Sequence, residues 1–186
     1  MNGQQSEKLH KIRVFWRIVT TIACALMLVF IFSNSLKTAE VSSTQSSKVV
    51  DTVQEVVSAI NPESPIATAT GEDYDRLHAA IREMAHFFEF ALLGALFCLC
   101  WFSYTSEKGY VIIPATAIVI TPMIDELLQT LSSGRAAEWF DVFVDVSGGF
   151  CGGFLALCAI TIGVHIYRKR AEKRANSAKV NSATKR

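Results

Sequence analysis

The chain has 186 residues, of which 51% are hydrophobic and 19% charged, and its formal net charge is +1. This apolar content is gathered into long blocks, which argues against a soluble globular enzyme. The basic C-terminal stretch has no interleaved aromatic residues, so nucleic acid is not an expected partner. The sequence also lacks a glycine-rich phosphate loop, a dinucleotide fingerprint, a serine elbow and an HExxH motif.

Four apolar blocks predict four membrane-spanning helices, because a bilayer core takes roughly 20 helical residues to cross. The predicted spans cover about 14–32, 85–104, 110–128 and 143–167. The first is interpreted as a retained anchor, since no small-x-small cleavage site follows it. The fold class is therefore all-α, a polytopic integral membrane protein. Its membrane domain covers 1–167, and 168–186 form a basic cytoplasmic tail that is disordered or lies on lipid headgroups.

The first outer loop, 33–84, is the one sizeable polar region. Within it, SSTQSSKVVDTVQEVVSAI carries apolar residues at 49, 53, 56, 57 and 60, which is a helical stripe. This pattern predicts an amphipathic helix that lies on the outer leaflet or caps the bundle. A partner-binding helix is the alternative, and the role of this long loop stays open.

The basic residues are distributed unevenly along the chain. Most of the 18 lysines and arginines lie in the N-terminal arm, at Lys108 and in the tail after Tyr167. Since these residues concentrate on the cytoplasmic side of membranes, we expect both termini and the 104–109 turn to be cytoplasmic. The protein is then a multi-pass cell-membrane protein, with 33–84 and 125–141 outside.

Ionisable and amide side chains gather near the outer ends of three predicted spans. Several pairs are spaced i, i+3 or i, i+4, so they share a helical face. Charges at membrane depth face a bundle interior or a wet cavity and pair with one another, which predicts an outward-facing polar pocket. The predicted pocket residues are Arg82, His86, Glu89, Asp125, Glu126, Gln129, Arg135, Asp141 and Asp145.

Carboxylates outnumber cations in this set. We therefore expect either a protonated carboxyl group or a bound metal or cationic ligand there. No cofactor is predicted, although this set of residues could hold a divalent cation. The alternative is a purely structural ion-pair network that locks the helix ends.

Glycines follow directly after the last of these carboxylates. Gly148 and Gly152 form a GxxxG pair, which predicts a close helix–helix crossing just below Asp145. Pro122 lies within the third span, where a kink would turn Asp125 inward.

The ordered set of motifs resembles the VanZ-like family. The residues that carry the resemblance are FSNS at 32–35, IREMAHFFEFALLG at 81–94, DELLQ at 125–129, Gly134, Arg135, Asp141, Asp145, Gly148 and Gly152. Asp145 stands where the family often has asparagine, and the first outer loop is longer than is usual for it. The resemblance implies a small integral membrane protein. The family's name-giving member is associated with low-level resistance to teicoplanin-type glycopeptides.

Three functions are compatible with these observations. The first is a non-catalytic protein whose pocket binds membrane lipid, a lipid-linked wall precursor or a glycopeptide. The second is a membrane-embedded enzyme that acts on a lipid-linked substrate, with His86 as general base or nucleophile and the carboxylates orienting it or holding a cation. The third is a transporter component, which the scarcity of polar groups in the inner halves of the spans disfavours.

Overall fold

The computed structural model describes residues 3–105 and 111–183, and every regular element in this part is a helix. The predicted all-α class is therefore confirmed. The helices are α1 (Gly3–Ser35), α2 (Ala39–Ile60), α3 (Glu72–Tyr104), α4 (Ile112–Gln129) and α5 (Trp139–Ala183).

Four of these helices are long and apolar enough to cross a membrane, which confirms the predicted number of spans. The candidate spans are His10–Ser35, Glu72–Tyr104, Ile112–Gln129 and Trp139–Lys173. Large apolar side chains cover their outward faces; Leu26, Phe88 and Phe154 are each more than 60% exposed. At about 1.5 Å per residue, the 33-residue α3 is ~50 Å long, so its first turns extend beyond a hydrocarbon core of about 30 Å.

The crossing of α3 and α5 is the most extensive helix contact in the bundle. Glycines make it possible, because a Cβ at Gly152 would collide with the backbone carbonyl of Ala91. Gly148 lies in the same way against Phe87. Small residues at such a crossing let two backbones approach closely in lipid, which agrees with the packing role predicted for this glycine pair.

The other spans pack around α3. Ile31 of α1 forms a buried cluster with Phe90 and Leu93 of α3. The buried face of α4 carries Pro122 and Asp125, and Asp125 is completely buried. An apolar face that continues into a buried carboxylate indicates that the polar groups lie inside the bundle rather than in lipid.

α2 folds back onto the first turns of α3. The hydroxyl of Tyr74 on α3 donates to Asp51 of α2, and the amide of Ala39 donates to the carbonyl of Ser133. Val50 is the fully buried side chain of this helix, whereas Val49, within the predicted stripe, is 51% exposed. The predicted helix is therefore present, and it packs through a face that is rotated relative to that stripe.

Part of the predicted tail is helical. α5 continues without a break through Ala183, so the predicted disorder is wrong for 168–183. This stretch is rich in Ala, Lys and Arg, which have high helix propensities and extend the helix of the span. The predicted cytoplasmic turn at 104–109, including Lys108, lies mostly outside the described residues, as does the start of the third span at 110.

Candidate functional site

Two neighbouring cavities of about 220 and 230 Å³ lie where α1 and α4 end and α5 begins. We call this the cavity end of the bundle. Ser42, Arg82, His86 and Arg135 line both cavities, so the two adjoin and share polar walls. α2 contributes one wall, which gives the long first loop a structural role in the site.

The first cavity is mainly cationic. Lys37, Arg82 and Arg135 line it, whereas Glu89 is its one carboxylate among the described residues. The ammonium group of Lys37 donates to Asn34 and to Gln45 at 2.8 and 3.0 Å, which holds it at the cavity wall.

Arg135 is positioned by the turn between α4 and α5. The preceding Gly134 has a φ of +80°, a conformation that a side chain would strain. Nη2 of Arg135 donates to the Ser42 hydroxyl at 2.5 Å. Partial burial, together with the nearby Arg82 guanidinium, lowers the pKa of Arg135. The two guanidinium groups therefore repel each other across the cavity.

The second cavity carries the acidic partners. Asp141 lines it, with one carboxylate oxygen 3.8 Å from Nη2 of Arg82. The Arg82 side chain is 41% exposed, so this ion pair contributes at most about 1 kcal/mol to stability. Gln129 also lines the second cavity and links it to the carboxylates behind it.

Asp125 lies behind the cavities and is held from two directions. The Ser35 hydroxyl donates to its Oδ1, and Nε2 of Gln129 donates to its Oδ2 at 3.1 Å. Ser132 in turn donates to the carbonyl of Ser35 at 3.0 Å. These bonds fix the orientation of a carboxylate that has no contact with solvent.

Asp145 completes a compact group with Asp125 and His86. Its side chain is 2% exposed, and its Oδ1 lies 3.7 Å from Nδ1 of His86. One ligand atom from each of the three residues lies within 4.8 Å of the other two. Neither Nδ1 of His86 nor Oδ1 of Asp145 has a hydrogen-bond partner within 3–105 and 111–183.

Glu126 is placed differently from the rest of the predicted set. Its carboxylate accepts the backbone N–H of Glu138 and lines a separate groove with Met123, Leu127 and Trp139. The hydrogen bond between Glu126 and Glu138 therefore fixes the start of α5.

The predicted residues thus divide into a cavity layer and a buried layer. The cavity layer contains Arg82, Glu89, Gln129, Arg135 and Asp141, the buried layer contains Asp125 and Asp145, and His86 connects the two. In the site as a whole, carboxylates outnumber cationic side chains, as the sequence indicates. In the first cavity the cationic side chains are in the majority.

Three further residues that line the first cavity were not predicted from the sequence: Ser35, Lys37 and Ser42. Ser35 had a signal, since it ends the FSNS motif. Lys37 and Ser42 line the site because the chain after α1 folds back over the bundle and forms α2 there. The spacing of residues within the spans does not predict where this segment packs.

A protein-family model matches most of the chain. The model described as VanZ/LLP1 matches residues 20–161, a range that begins in α1 and ends in α5. No curated protein and no solved structure matches the chain.

Proposed function

Since the chain belongs to the VanZ/LLP1 family, we propose that it is a membrane protein whose cavity binds the anionic headgroup of an envelope lipid or lipid-linked wall precursor. Through this binding it contributes to low-level resistance to teicoplanin-type glycopeptides. A phosphate or diphosphate group is the chemistry that both kinds of ligand share.

One observation carries the proposal: Lys37, Arg82 and Arg135 converge on a cavity that has Glu89 as its one carboxylate among the described residues. Guanidinium groups suit phosphate oxygens because they donate two parallel hydrogen bonds. An anion between Arg82 and Arg135 would also relieve their mutual repulsion.

The size of the site favours a headgroup over a whole antibiotic. Even taken together, the two cavities of about 220 and 230 Å³ lie near the lower end of the roughly 300–1,000 Å³ of typical drug-sized ligand sites. A phosphate-sized group fits such a volume, and an acyl or prenyl chain would lie along the apolar helix faces outside.

The orientation expected from the basic residues supports an extracytoplasmic role. Arg17 donates to the carbonyl of Ser103, so the start of α1 and the end of α3 lie at the end of the bundle opposite the cavities. Lys8, Lys11 and Arg13 precede Arg17 on α1. With these residues cytoplasmic, the cavities face the side on which glycopeptides act.

The test is binding of undecaprenyl diphosphate to the full chain purified in detergent. We expect Arg82→Gln and Arg135→Gln each to weaken affinity about tenfold, because a hydrogen bond to a charged group contributes about 1.5–3 kcal/mol. Lysine at either position should restore part of the affinity. The matched control is Arg76→Gln, since Arg76 is exposed on the same α3 and pairs with Glu72. Equal affinity of all variants would refute the proposal.

A second candidate function is hydrolysis of a lipid-linked diphosphate. The observation that favours it is the position of His86, which lines both cavities while its Nδ1 lies 3.7 Å from Asp145. A histidine beside a buried carboxylate is a candidate general base. Phosphate release from undecaprenyl diphosphate that is lost in His86→Gln and kept in Asp73→Asn would support this function; no release by the wild type would exclude it for this substrate.

A further inference from the structure

We propose that His86, Asp125 and Asp145 form a binding site for a divalent transition-metal ion such as Zn²⁺ or Mn²⁺. The three side chains come from α3, α4 and α5, and one ligand atom of each lies within 4.8 Å of the other two. An imidazole nitrogen with two carboxylate oxygens is a ligand set that these ions accept.

The separation between His86 and Asp145 suits a first-row ion. Zinc binds histidine nitrogen at about 2.0–2.1 Å and carboxylate oxygen at about 2.0–2.2 Å, which places two ligands of a tetrahedral site ~3.4 Å apart. Nδ1 of His86 and Oδ1 of Asp145 are 3.7 Å apart. This distance is long for a hydrogen bond between them and close to that of two atoms that share an ion.

Unpaired buried atoms are the independent sign of a ligand. Nδ1 of His86 and Oδ1 of Asp145 are both buried and have no hydrogen-bond partner among the described residues. Asp145 is 1% exposed, so its oxygen is shielded from solvent as well. A buried carboxylate oxygen without a hydrogen-bond partner costs roughly 1–3 kcal/mol or more, and coordination of a metal ion removes that cost.

Charge balance points the same way. Asp125 and Asp145 are both almost fully buried, and neither forms an ion pair with a lysine or arginine of the described residues. Two carboxylates side by side repel each other strongly in a medium of low dielectric. One divalent cation with neutral His86 brings the group to zero net charge.

The contacts of Asp125 resemble the outer shell of a metal ligand. Ser35 and Gln129 each donate to one of its oxygens, which leaves a lone pair on each for an ion. Such bonds orient a ligating carboxylate and raise metal affinity. His86 also lines both cavities, so an ion bound there would have a route to solvent and open coordination positions.

The proposed function and the metal site have separate tests, because metal binding to the purified chain needs no lipid. The full chain in detergent is stripped with EDTA and titrated with Zn²⁺ or Mn²⁺. We expect about one ion per chain. At an ion concentration of 100 times Kd, the melting temperature should rise by about 5–10 °C.

Variants then locate the ion. Asp145→Asn and His86→Gln should lower metal affinity at least tenfold, whereas Asp73→Asn, an exposed carboxylate on the same helix as His86, should bind like the wild type. Since a variant can fail to fold, pulsed EPR of the Mn²⁺-loaded wild type provides a second measurement, in which a histidine nitrogen should couple to the ion. No metal uptake by the folded wild type, or uptake without nitrogen coupling, would overturn the inference.

Discussion

Ser35, the last residue of α1, donates its hydroxyl to Asp125 of α4, which lies 90 residues further along the chain. Both side chains are buried, and Ser35 is also within 3.0 Å of the carbonyl of Ile31 one turn earlier. This bond connects the end of the first span to the most buried carboxylate of the site. The orientation of the Asp125 carboxylate therefore depends on the position of α1.

Ser35→Ala should destabilise the protein by about 1–3 kcal/mol, because the buried carboxylate of Asp125 loses a hydrogen-bond donor. Thermal unfolding of the detergent-purified protein would measure this loss. The control is Ser47→Ala, whose hydroxyl is exposed and bonds only to the carbonyl of Ser43 in its own helix. If both variants unfold at the wild-type temperature, the Ser35 bond does not contribute to stability.

Gly152→Ala should destabilise the α3–α5 crossing by about 1–3 kcal/mol, the typical cost of overpacking. The reason is that the added Cβ would collide with the Ala91 carbonyl, which is backbone and has little room to move. Gly163→Ala is the matched control on the same helix, since a Cβ there would meet no described atom within 4 Å. Equal unfolding temperatures for the two variants would contradict the close crossing.

Much of the architecture could be predicted from the sequence because the bilayer imposes a length on each span. Spacing also predicted which polar residues share a face, since i, i+4 pairs such as Asp125 and Gln129 need only one helix to be known. The hydrogen bond between these two residues shows that they share a face, which depends on local helix geometry alone.

The division of the site into two layers could not be predicted in this way. It depends on how far each helix is rotated about its axis, which is set by contacts such as Gly152 against Ala91. Glu126 neighbours Asp125 in sequence, yet its carboxylate accepts the Glu138 N–H outside both cavities. The return of α2 is set by contacts distant in sequence, and this return brings Ser42 within 2.5 Å of Arg135.

Val50→Ala should loosen α2 from α3 and open the cavity wall. Val50 is completely buried, so removing two carbon atoms should cost ~2 kcal/mol from lost burial and the remaining cavity. Faster hydrogen exchange across 39–60 would report the loosening. Val56→Ala is the control, since Val56 is 55% exposed on the same helix, and exchange should stay unchanged there. Identical exchange in both variants would show that burial of Val50 does not hold α2 in place.

Arg135→Gln should remove any protection against teicoplanin that the protein gives a susceptible bacterium, and Arg135→Lys should keep part of it. The reason is that a positive charge in the first cavity serves the proposed headgroup contact, although a lysine donates fewer aligned hydrogen bonds. The measurement is the minimal inhibitory concentration, with protein levels in the membrane matched by immunoblot. Arg76→Gln should protect like the wild type, and an Arg135→Gln strain that does the same would count against the headgroup contact.

The cavity end should be accessible from outside the cell. In a variant whose five native cysteines are replaced by alanine, Ala136→Cys lies on the exposed turn between α4 and α5. A membrane-impermeant maleimide should label it in intact cells, because the basic residues of α1 and of the end of α5 favour the cytoplasmic side. Lys173→Cys, exposed near the other end of α5, should be labelled only after the membrane is permeabilised. The reverse pattern would place the cavities in the cytoplasm, where they could not meet a glycopeptide or the outer-leaflet form of a wall precursor.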